Sequence, residues 1–215
     1  MIKRLGSQGS IRLKTCRPPR PTRPNGGCPP NSKEDCNFTT FEEIVNHYIE
    51  THRKGAKDEL AFYQNQPTLK QAIKLAALSE MLDGERHGHQ RRIPQQALKR
   101  LASVLTSHED HIKECLDFDE LHKRIDDVSK DIEHIGPLTV YDVAQRIGAK
   151  LNRYPQKIYL HAGTKEGAKI LLKKRRIGQS ILPTVLPMAF AKLEPYEIED
   201  CLCLYRDWFL IIKEK

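Results

Sequence analysis

Residues 132–148 read Ile-Glu-His-Ile-Gly-Pro-Leu-Thr-Val-Tyr-Asp-Val-Ala-Gln-Arg-Ile-Gly. A helix end, a tight reversal at Ile135-Gly136-Pro137 and a new helical pattern follow one another without a gap. Gly136 gives the backbone freedom at the reversal and keeps a side chain out of the way of a close approach. Pro137 suits an early helical position, because the N–H it lacks would be unpaired there in any case. Val143, Ile147 and Leu151 recur at helical spacing and form the face that packs on the preceding helix. Such a reversal leaves several N–H groups unpaired at a helix start, all pointing one way. Together with the positive end of the helix dipole they suit an anionic oxygen such as a DNA phosphate. The Thr139 hydroxyl stands beside the same cluster.

The same periodicity extends in both directions. Thr40-Phe-Glu-Glu43 is a capping box, and Phe41, Ile44, Val45, Tyr48 and Ile49 follow at helical spacing, continuing less regularly to Leu60 and Tyr63. Thr68 opens a second helix that Asp83-Gly84 ends. Pro94 opens a third, and the Cys115–Phe118 region leads into a fourth carrying Leu121, Ile125 and Val128. Beyond the reversal the pattern predicts helices over 140–151 and 164–172, then a last one from Pro195 to Ile212. Only Ile158–His161 and Ile181–Leu186 suit short extended pieces. The expectation is an all-α multi-helix bundle of roughly eight helices. Its expected parts are a tail at 1–37, a helical part at 38–130 and a C-terminal part at 131–215, with 38–215 able to form one domain.

Charge is unevenly spread. The net charge is +8, but residues 1–37 alone carry eight bases against two acids. That tail also holds six of the thirteen prolines and lacks apolar periodicity, so it reads as a polyproline-like or flexible segment unable to build a core. Residues 109–133 are net −6, whereas residues 150–176 are net +8. A one-sign block makes a better polyanion footprint than total charge. Lys150, Arg153, Lys157, Lys165 and Lys169 are its candidate phosphate contacts. In the segment His161-Ala-Gly-Thr164, Thr164 reads as a second helix start that could meet a phosphate.

The stretch 132–148 resembles the helix-hairpin-helix motif of DNA-repair proteins, in particular the helical DNA glycosylases. About 20 residues carry the likeness directly. That family usually has Gly-hydrophobic-Gly at the turn, and here His134, Ile135 and Gly136 stand at those places. The resemblance implies phosphate contacts at His134, Ile135, Gly136, Leu138 and Thr139, and a monovalent cation held by backbone carbonyls. It does not carry over the chemistry. Leu138 stands where strand-cleaving relatives have a lysine nucleophile, and Tyr159 or Leu160 stands where the catalytic aspartate would be. The implied function is DNA binding without sequence reading and with steep salt dependence, in a repair or maintenance setting.

Other readings stay open. A glycosylase-like enzyme would have to recruit another acid, such as Asp142 or Asp200. Asp142–Gly148 also resembles the opening of a helix-turn-helix regulator, and a helical protein-interaction module is a further class. No Cys-His or Ser-His-acid set is legible. His87 and His89 lack an identifiable third metal ligand, so no metal or other cofactor is expected. Cys115 reads as a small core residue, and the six cysteines read as thiols of a cytoplasmic protein, since the chain shows neither a signal-peptide pattern nor a membrane span.

Overall fold

The computed structural model describes residues 38–212. The basic tail at 1–37 lies outside the described residues. Among the described residues nine α-helices, four short 3-10 turns and one two-residue strand pair make up the regular structure, so the fold is all-α. In order the α-helices and strands are α1 (Phe41–Thr51), α2 (Arg53–Gln64), α3 (Leu69–Leu78), α4 (Gln95–Ser107), α5 (Glu109–Glu114), α6 (Phe118–Ser129), α7 (Pro137–Leu151), β1 (Ile158–Tyr159), α8 (Ala162–Leu171), β2 (Ser180–Ile181) and α9 (Pro195–Leu204). No helix among the described residues is long and apolar enough to cross a membrane.

Local chemistry accounts for most boundaries. The Thr40/Glu43 capping box starts α1, with the Glu43 N–H donating to Thr40 Oγ1 at 3.2 Å. Thr68 and Asp117 start α3 and α6 as simple N-caps, their side chains accepting from the Gln71 and Glu120 N–H groups. The long first pattern breaks at His52, which closes α1 and precedes α2. The last pattern also breaks early. After Leu204 the chain tightens into a 3-10 turn at Trp208–Leu210, which lets Tyr205, Trp208, Phe209 and Ile212 all turn inward, as a straight helix would not. The helix expected over 195–212 therefore ends eight residues sooner than its apolar spacing suggests. The two extended pieces do pair, Ile158 opposite Ile181 in an antiparallel bridge.

The helices bury two cores. The middle core draws on Tyr63, Ile73, Leu101, Leu105, Ile112, Phe118, Leu121, Ile125, Tyr141 and Ile147. The other joins the two ends of the described chain, with Phe38, Ile44 and Tyr48 packed against Ile158, Phe190, Ile198, Leu202 and Trp208. Leu60, Ala149 and Tyr196 form a small apolar link. α6 and α7 pack on each other inside the middle core, so position 130/131 falls within one core. Cys115 and Cys201 are buried thiols, as expected of them.

Candidate nucleic-acid interface

The reversal between α6 and α7 is built by hydrogen bonds of its own backbone. Ile132 N–H donates to Ser129 O at 2.9 Å and Ile135 N–H to Ile132 O at 3.2 Å, while the Ile132 side chain plugs into the core. His134 carries the turn in the left-handed region at φ 69°. It occupies the place where the resembling family has its first glycine, and the backbone there has the conformation glycine favours. Gly136 then sits extended at φ −102° and ψ 175°, as the N-cap of α7, with Pro137 in the first turn.

α7, at 15 residues, is the longest helix among the described residues, and its start is bare. Gly136 offers no capping side chain, and no acid stands in the first turn. The N–H groups of Gly136, Leu138 and Thr139 have no hydrogen-bond partner among the described residues. His134, Pro137 and Leu138 are exposed, Ile135 and Gly136 half-buried. Thr139, by contrast, is buried. A Cβ at Gly136 would meet nothing within 4 Å. The surroundings are acidic: Asp131 and Glu133 are exposed beside the turn, and Lys130 is held by Asp127 at 2.6 Å.

The basic block divides. Lys150 Nζ donates to the carbonyls of Gln64 and Gln66 at the end of α2. Arg153 donates to Lys113 O at 2.9 Å, where α5 ends. Lys157 pairs with Asp119 at 2.7 Å and lies 5.4 Å from the centre of the Tyr159 ring. Lys169 pairs with Glu166 at 2.7 Å. These cations satisfy helix ends and acids of the fold itself. Lys165 is half-buried beside the start of α8, and Lys174, Arg175 and Arg176 are exposed beyond its end. Thr164 is buried and donates to Glu199.

That last contact leads to a second polar region, which sequence reasoning reached only in part. Asp142 and Asp200, the acids that base excision would recruit, stand at one seam between the two cores together with Glu199. Tyr48 donates to Asp200 at 2.8 Å, and the Gln90 amide donates to Asp142. Burial pushes the Glu199 carboxyl well above the usual carboxylate range, and the nearby Asp200 and Asp142 push the same way. Burial likewise raises Asp200 to about 7, with Glu59 and Asp142 adding to it while the Tyr48 bond opposes. In sequence, Glu197, Glu199 and Asp200 look like acids that complement the start of α9. Glu197 does act so, bonding the Glu194 N–H at 3.0 Å and Arg53 at 2.7 Å. The signal that was missed is that three acids in four helical residues cannot share one exposed face.

Among the described residues no group of three His, Cys, Asp or Glu side chains is arranged to hold a metal ion. His87 instead bonds the Tyr63 hydroxyl at 2.9 Å. No family model, curated protein or solved structure matches the chain.

Proposed function

We propose that this protein binds DNA through its phosphate backbone, with the start of α7 as the principal contact, in the manner of the helix-hairpin-helix proteins that residues 132–148 resemble. One observation carries the reading. The bare N-terminus of a 15-residue helix follows a left-handed residue and an extended glycine on an exposed turn. Backbone donors aimed outward at a helix start attract an anionic oxygen, and with no side chain in front of them a phosphate reaches them directly.

The placement of the basic residues changes the expected salt response. Lys150, Arg153 and Lys157 are committed to carbonyls and to Asp119, and the neighbouring α6 is acid-rich. Binding then rests on backbone donors and on few cations, Lys165 and Lys174–Arg176 foremost. The expected slope of log affinity on log salt is roughly −2 to −4, corresponding to about two to four phosphates, instead of the steep fall that the whole block implies.

Gly136→Asp tests the proposal cleanly. The position has room for a side chain and a backbone conformation that any residue adopts. An aspartate there would cap α7 and favour the dipole, stabilising the fold by about 1 kcal/mol. The same carboxylate would repel phosphate. The expected result is a higher melting temperature with at least a tenfold loss of affinity for a labelled duplex by fluorescence anisotropy. A stabilised variant that binds as well as the parent would remove α7 from the interface.

A further inference from the structure

A cavity of about 400 Å³ opens between α2 and the loop that follows α3. That volume lies within the range of roughly 300–1,000 Å³ that small-molecule sites occupy. Phe62 and Tyr63 on α2, with Met81 and Leu82 on the loop, make its surface mainly apolar. Leu82 is 83% exposed, a large apolar side chain that the fold leaves uncovered.

The deep polar groups are already answered. Tyr63 donates to Glu80 O at 2.7 Å and meets His87 Nε2 at 2.9 Å. Glu59 is held by Arg146 at 3.2 Å and approached by His87 at 3.5 Å. Two exposed carboxylates are left for a ligand, one from each wall. Asp58 of α2 pairs with Lys54, an exposed contact one helical turn away that counts for little in water. Asp83 of the loop accepts the Glu85 N–H at 2.9 Å and has no ion pair among the described residues. Apart from His87, the charged side chains on the lining are all carboxylates.

Gly55 supplies an independent observation. It lies in the first turn of α2 and on the lining of the cavity, and a Cβ at this position would meet nothing within 4 Å. Glycine in a helix lowers stability relative to alanine. Close packing does not call for it here, since the space in front of it is open. A larger side chain would stand in the cavity.

We propose that this cavity binds a small organic cation with an aromatic or branched apolar body. Its ammonium group meets Asp58 and Asp83 at the mouth, while its body covers Phe62 and Met81 and takes Leu82 out of water. Burial of the apolar body supplies most of the affinity. The two acids select a cation over an anion of the same shape. A purely polar cation gains little, because exposed carboxylates hold it weakly in water. None of the lining residues belongs to the α7 turn, so the fate of this site does not decide the DNA-binding proposal.

Titration of the full chain with dansylcadaverine, followed by fluorescence, tests the proposal. The dansyl ring brightens and shifts to the blue as it leaves water. Dansyl-aminohexanoate carries the same ring on a chain of similar length that ends in a carboxylate. The expected result is saturable binding of the amine, tighter than that of the carboxylate by about tenfold or more. The Asp58→Asn/Asp83→Asn double variant keeps an acceptor for the Glu85 N–H. It should bind both probes alike, with the amine weakened several-fold. Gly55→Leu places a side chain in open space and removes a helical glycine, so its melting temperature should rise while saturable binding disappears. Three outcomes overturn the proposal: no saturable binding of the amine by the parent chain, equal affinity for the carboxylate probe, or full binding by a folded Gly55→Leu variant.

Discussion

His134 shows how much one backbone angle can say. A left-handed conformation costs a residue with a β-carbon roughly 1–2 kcal/mol. His134 is exposed, and its recorded contact is a 3.5 Å approach to Glu133, an exposed neighbour whose attraction is small in water. The turn itself therefore holds the angle, through the Ile132 anchor and the two backbone bonds that flank it. Replacing His134 with glycine should relieve the strain, partly offset by the greater freedom of glycine in the unfolded chain. A net gain of about 0.5 kcal/mol is expected in denaturant unfolding. Duplex affinity should stay equal or rise, because the turn would become the Gly-Ile-Gly of the resembling family. A loss of stability would mean that the histidine ring makes a contact worth more than the strain.

At the scale of elements, the packing of α8 on α9 turns on a single missing β-carbon. A Cβ at Gly167 would stand 1.9 Å from Leu202 O, so the two helices touch through bare backbone. Gly167→Ala must push them apart, and a cost of at least about 3 kcal/mol is expected by chemical or thermal unfolding. Gly136→Ala, where space is open, should cost almost nothing by the same measurement. The sequence distinguishes these glycines only through context: Gly167 lies beside Ala168 within a helical pattern, and Gly136 precedes a proline. Where a strong local signal exists, the element is legible. The Thr40 box, the Thr68 cap and the Gly136-Pro137 start all stand where pattern and chemistry place them. Elements fixed by distant contacts are not legible. α5 is six residues long and depends on Ile112 reaching the middle core, and α9 stops where the C-terminal aromatic residues must face Phe38. The candidate site divides on the same line. The α7 turn is local and can be read, whereas Lys150 capping α2 across 84 residues or more cannot, since only the fold brings a lysine to a far carbonyl.

The whole molecule is two cores closed over a seam of acids, and its stability should depend on pH accordingly. Asp200 ionises near 7 when folded, against 3.8 as its ordinary value, and burial raises Glu199 in the same direction. A carboxyl raised in this way contributes fully below its unfolded pKa, and the contribution is lost as pH rises through the folded one. Four half-buried histidines act in the opposite sense. Burial lowers His47, His52, His122 and His161, so their contribution is present above about 6.5 and lost as pH falls toward their folded values. The two effects oppose one another between pH 4 and 6.5, and above that only the carboxyls remain in play. Stability should decline as pH rises through the folded value of Asp200, about 7, with the melting temperature falling by roughly 2–4 °C for each kcal/mol lost in a chain of this size. Replacing Glu199 with Gln and Asp200 with Asn keeps acceptors for the Thr164 and Tyr48 hydroxyls while removing the protons that titrate. The double variant should lose the decline on the alkaline side and keep the acid limb that belongs to the histidines. If the alkaline decline persisted unchanged in the double variant, the charge that drives the two cores apart would have to lie elsewhere than α9.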